Sequence, residues 1–143
     1  MKKFQFRLES VLAWREVERT RERDELGRRI AEEQRLKQNL MDLRAQRQAA
    51  REELQRRPFM GADLRALAAY LLACEPREKT LLQQLAAAQR SIAEQRLKVL
   101  EADRRVRLLV KLRERQLTEW TTAVDRQLDA MAQDSWTASH YLR

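Results

Sequence analysis

Apolar residues return at helical spacing along two long stretches of this chain. In the second, Leu81, Leu85, Ala88, Ile92, Gln95, Val99, Ala102, Val106 and Leu109 alternate steps of four and three, with one polar residue, Gln95, in an otherwise apolar series. A seam sustained over that length marks a coiled coil and excludes a disordered chain. Beyond Leu109 the stripe continues less regularly through Leu117, Trp120, Val124, Leu128 and Met131. In the first stretch Leu8, Val11 and Leu12 open a helical pattern, with Phe4 and Phe6 as a flexible or capping lead-in. The run Arg15 to Glu33 is mostly alternating charge, with only Val17, Leu26 and Ile30 as sizeable apolar groups. Opposite charges at i,i+3 and i,i+4, such as Glu18 with Arg21 and Glu25 with Arg28, support a solvated helix there. Leu36, Leu40, Leu43, Ala50 and Leu54 then form a thin seam in which Arg47 takes one slot.

Breakers cluster between the two stretches. Between Phe4 and Arg57 there is one glycine, Gly27, and no proline; between Arg77 and Met131 there is neither. Pro58 is expected to end the first helix, with Phe59, Met60 and Gly61 making the turn. Asp63 can cap a short helix through Leu64, Leu67, Tyr70 and Leu71. Pro76 either opens the long second helix as its first residue or kinks a longer one. The expected architecture is all-α. It is one long antiparallel two-helix coiled-coil hairpin with a short broken helical segment at the tip: helix 4–57, tip 58–76, helix 77–131 and a frayed tail 132–143. Each arm would be roughly 80 Å long at 1.5 Å per residue. Folding antiparallel brings Leu12 and Trp14 near Trp120 and Leu54 near Leu81, with Trp14 and Trp120 as one aromatic layer of the seam.

Composition sharpens this picture. Charged residues make up 36% of the 143 and aromatics 6%, enough apolar material for a seam and too little for a thick core. Net charge is +8, almost all of it from arginine, which suits carboxylate or phosphate partners. MKKFQFRLES has no apolar run after its lysines and does not read as a secretory signal. The nearly apolar run Ala66 to Cys74 is about half of what a membrane span needs. A soluble cytoplasmic protein is therefore expected.

No catalytic constellation is visible, and the chain is expected not to be an enzyme and to carry no cofactor or metal. His140 is the only histidine and lies in the tail; Cys74 is the only cysteine and sits among alanines and leucines as a packing residue. One His and one Cys cannot build a zinc site of the usual spacing. Trp136 is either an exposed anchor or a loosely packed tail residue. The basic charge has a pattern: Lys2, Lys3, Arg7 and Arg15 at one end of the first arm, and RRVRLLVKLRER, Arg104 to Arg115, in the second. Antiparallel pairing carries both toward the open end. At the other end, Phe59, Met60, Leu64, Leu67, Tyr70, Leu71 and Leu72 are either a cap on the hairpin or a recognition patch.

The opening FQFRLESVLAWREVE, the long charged first helix, the YLL element after the turn and RRVRLLVKLRERQLTEW together resemble the FliJ family of flagellar export proteins, with a weaker likeness to the related YscO-type stalks of virulence secretion. The likeness covers nearly the whole chain. It implies a non-enzymatic cytoplasmic component of the type III export apparatus, held peripherally at the cytoplasmic face of the inner membrane. Such proteins form a helical hairpin similar to the central stalk of rotary ATPases. They sit at the centre of the export ATPase hexamer, promote its assembly and activity, contact the cytoplasmic domain of the export gate and serve export chaperones. Carried over by element, Arg7, Arg15, Arg104, Arg105, Arg107, Lys111 and Arg113 would contact the ATPase, and Leu67, Tyr70 and Leu71 the gate. The proline at 76 departs from the more continuous helix of that family. The competing readings are a basic coiled coil that binds nucleic acid through its charge, without specificity, and a generic scaffold or self-associating coiled coil.

Overall fold

Long runs of Arg, Glu, Gln, Leu and Ala with few breakers leave the backbone little alternative to the α-helix, and two helices account for nearly all of the protein. The computed structural model describes residues 2–56 and 61–142. Helix α1 spans Glu9–Arg56 and helix α2 spans Gly61–Tyr141. No strand occurs among the described residues. The expected turn at Pro58, Phe59 and Met60 lies outside them.

Three boundaries differ from expectation, the first being the start of α1, at Glu9 and not at residue 4. Helix α2 continues through position 76, with Pro76 in its interior, so of the two alternatives for this residue the longer helix is the one found. Proline removes one backbone hydrogen bond but not the helical φ, and the alanine- and leucine-rich run before it carries the helix across. The tail is helical as well, through Tyr141. Its threonines and serine reinforce the backbone locally: Thr137 Oγ1 donates to the carbonyl of Gln133 at 2.6 Å, and Ser139 Oγ to that of Trp136 at 2.8 Å.

Contacts divide the chain into two units, one made of Met1–Thr20 and Leu100–Arg143, the other of Arg21–Val99. In each, a segment of α1 packs antiparallel on a segment of α2. Within the first unit, Arg19 pairs with Asp103 at 3.9 Å and Arg113 with Glu9 at 3.2 Å. Within the second, Arg29 Nη1 donates to the Ser91 carbonyl at 2.9 Å, and Arg44 and Arg47 both reach Glu78, at 3.0 and 2.5 Å. Arg47 thus takes its seam slot as half of an ion pair. Each α1 position meets α2 about three turns nearer its start than expected. The reason is that α2 begins at Gly61 and not after Pro76. Leu54 accordingly lies in the stretch facing Leu67 and Tyr70, which share a shallow groove with Glu53, and not beside Leu81.

The seam read from the sequence is the buried one. Ile92, Gln95, Ala102 and Val106 are buried on α2, and Leu12, Leu36, Leu40 and Leu43 on α1. The irregular continuation is not: Leu117, Leu128 and Met131 are exposed, while Trp120 and Val124 are half-buried. The lead-in is also more than a cap. Phe6, 7% exposed, makes a small core with Leu12 and Val106, flanked by Phe4, Leu8, Leu109, Val110 and Leu112. Phe4, and not Trp14, meets Trp120, with ring centroids 6.0 Å apart. Trp14 is 57% exposed and carries the Arg15 guanidinium over its ring at 4.8 Å.

In the second unit the seam has a polar layer. Gln95 is 1% exposed, and its side-chain amide donates to the Glu22 carbonyl at 3.0 Å and to the Glu22 carboxylate. Polar α1 residues face α2 here because the charged run of α1 offers only Leu26 and Ile30 as large apolar groups.

Candidate functional site

The seven basic residues singled out from the sequence all belong to the first unit, and their surroundings separate them. Arg15 Nη1 holds Glu18 at 2.8 Å. Arg105 reaches Glu18 at 3.1 Å and Glu101 at 3.4 Å. Arg113 pairs with Glu9. Arg105 and Arg113 thereby tie α2 to α1, Arg15 is held within its own helix, and much of the charge of all three is answered within the chain. Arg7 is exposed on the lead-in. Arg104, Arg107 and Lys111 are exposed, and none has an ion-pair partner among the described residues.

Helical geometry explains the division. Seam residues Ala102, Val106 and Leu109 point at α1. At 100° per residue, Arg104, Arg107 and Lys111 fall on the opposite side of α2. Leu100 and Leu108, each 58% exposed, lie beside them, and the five residues line a shallow groove of about 300 Å³. The result is an open face in which unpaired cations flank two leucines. It suits a partner that offers carboxylates around an apolar ridge. The seam pattern in the sequence does not single out these two leucines. They lie off the seam in the sequence, and their neighbouring arginines disguise the stripe as a solvated face.

The gate candidates lie in the second unit. Leu67, Tyr70 and Leu71 are all half-buried. The Tyr70 hydroxyl lies 3.4 Å from Gln46 Oε1 on α1, as its donor. Desolvation raises the Tyr70 hydroxyl above its ordinary value, and neighbouring Cys74 adds to this. Cys74 is a free thiol, 1% exposed, as a packing residue should be. The more exposed apolar groups of this segment are Leu64 and Leu72, at 45% and 69%. A larger open groove of about 550 Å³ lies nearby, between Asn39, Asp42, Leu43 and Gln46 of α1 and Pro76, Arg77, Thr80 and Leu81 of α2.

Among the described residues no group of His, Cys, Asp and Glu is placed to hold a metal ion, and no helix is long and apolar enough to cross a membrane. His140 stacks on Trp136 with centroids 4.7 Å apart and planes 16° from parallel. Compared with known proteins, the chain matches no family model, no curated protein and no solved structure.

Proposed function

We propose that this chain is a non-enzymatic stalk of a type III protein export apparatus. In this reading it binds the export ATPase hexamer, promotes its assembly and activity, and links it to the cytoplasmic domain of the export gate, with export chaperones as further partners. It works in the cytoplasm, held at the inner membrane only through that apparatus. The reading rests on the sequence resemblance to the FliJ family. The observation that carries it furthest is the bare basic face, Arg104, Arg107 and Lys111, beside the exposed leucines Leu100 and Leu108.

A stalk inside a ring of equivalent subunits needs attraction without a unique lock. Exposed arginines supply long-range, salt-dependent attraction with little demand for shape fit. The gate contact is assigned to Leu67, Tyr70 and Leu71, of which Leu67 and Tyr70 border a shallow groove with Glu53 and Asp63. The proposal narrows the ATPase contact from seven residues to Arg104, Arg107 and Lys111, with Arg7 a further exposed charge on the lead-in. Arg105 and Arg113 serve mainly to join the helices, and Arg15 is held by Glu18 on its own helix.

The test is ATP hydrolysis by the cognate hexamer with added protein at low and physiological salt. Arg107→Glu should remove most of the stimulation. Arg105→Glu, whose guanidinium is already held by Glu18 and Glu101, should lower it much less. Equal stimulation by wild type and Arg107→Glu would refute the assignment.

A further inference from the structure

We propose that the outer face of α2 in the first unit is self-complementary and pairs with the same face of a second copy of this chain, antiparallel, about a twofold axis at Thr118. The face has charge of both signs. Going down α2 from Arg104, Arg107 and Lys111, the same side of the helix presents Thr118, Thr122, Asp125, Asp129 and Trp136. Lys111 and Asp125 lie seven residues either side of Thr118. Arg107 and Asp129 lie eleven either side, and Leu100 and Trp136 eighteen. Seven, eleven and eighteen residues are close to whole numbers of helical turns, so all these side chains share the Thr118 side of α2. A second α2 laid antiparallel with Thr118 opposite Thr118 therefore places Lys111 against Asp125, Arg107 against Asp129 and Leu100 against Trp136, each pair twice. This is the geometry of an isologous interface.

Three further features fit this occupant. Asp125 and Asp129 are exposed and, like Arg107 and Lys111, have no ion-pair partner among the described residues. Each set is a like-charge i,i+4 pair, which repels along its own helix and is relieved by the opposite set. At the axis Thr118 and Thr122 are short and internally satisfied. Thr118 Oγ1 donates to the Glu114 carbonyl and Thr122 Oγ1 to that of Thr118, both at 2.9 Å, so their polar groups are already paired. Thr118, Glu119, Thr122, Ala123 and Arg126 border a shallow groove there, which allows close approach. At the ends, Trp136 is 63% exposed and braced by the stacked His140 ring, a flat surface for the Leu100 of the second copy. A pairing this narrow belongs with weak, transient interfaces. It would cover Arg104, Arg107 and Lys111, so self-pairing and binding of an acidic partner on this face exclude one another. The pairing itself does not depend on what that partner is.

The full chain is measured by sedimentation equilibrium over a range of concentrations at low and high salt. A salt-sensitive monomer–dimer equilibrium is expected. Arg107→Glu and Asp129→Arg should each weaken it about tenfold or more, since each sets like charges face to face. The two substitutions together should restore it. For register, Thr118→Cys in a Cys74→Ala background should form an intermolecular disulfide under mild oxidation. Ala130→Cys, on another side of the helix, should not. Circular dichroism confirms that each variant keeps its helices. A chain that stays monomeric at all concentrations, a double reversal that fails to restore association, or equal crosslinking at 118 and 130 would each overturn the proposal.

Discussion

The polar layer at Gln95 allows a quantitative test of what holds the second unit together. Gln95 occupies a seam position between Ile92 and Val99 and is almost fully enclosed. Its amide donates across the seam to the backbone and carboxylate of Glu22. Gln95→Ala removes a hydrogen bond to a charged acceptor, worth about 1.5–3 kcal/mol. The void left by the shortened side chain adds to that loss. The Glu22 groups are half-exposed and regain water, which limits the penalty. A net loss of about 2–3 kcal/mol is expected. Gln95→Leu loses the same hydrogen bond but fills the space with a side chain whose burial is worth about 1.5–3 kcal/mol. It should therefore lie within about 1 kcal/mol of wild type. Urea unfolding followed by far-ultraviolet circular dichroism measures both, and amide exchange across Glu22 to Ile30 localises the effect. Two results would refute the reasoning. An alanine variant as stable as wild type would mean the buried amide contributes nothing. A leucine variant as damaged as alanine would mean that packing cannot substitute for the hydrogen bond. A polar seam residue also penalises slipped pairings, so the leucine variant should tolerate other registers and exchange faster at Glu22 to Ile30 than its stability alone implies.

Phe6→Ala should destabilise the first unit by about 3 kcal/mol, because it empties the small core shared with Leu12 and Val106; Trp14→Ala, at an exposed site, should change urea stability by less than about 0.5 kcal/mol. Glu78 is held below its ordinary 4.5, first by the hydrogen bond from Arg44 and then by Arg47. A lowered carboxylate pKa in the folded state gives stability that is fully present above the unfolded value and is lost as pH falls through the lower folded one. Acid titration should thus show the second unit weakening below about pH 4.5, with Glu78→Gln flattening that dependence and added salt shrinking it. If the variant unfolds in acid like wild type, the pairing has no role in acid stability.

Periodicity alone determined the all-α class and the identity of the seam, from Leu81 to Leu109. A four–three alternation can bury one stripe only by placing it against another helix. It determined too that Arg47 would fill a seam slot and that Cys74 would pack. Local signals could not determine where α2 begins. From its neighbours alone Pro76 is either a helix start or a point within a longer helix, and the structure takes the second. The pairing register followed from that choice, so the expected neighbours of Leu54 and Trp14 were displaced by about three turns. Tertiary structure likewise decided which arginines are spent. Glu101 and Arg105 can be matched on one helix by their spacing, but Glu18 and Arg105 are 87 residues apart and meet only when the helices pack. Phe6 became a core residue for the same reason, since burial is a property of what lies opposite and not of the residue alone.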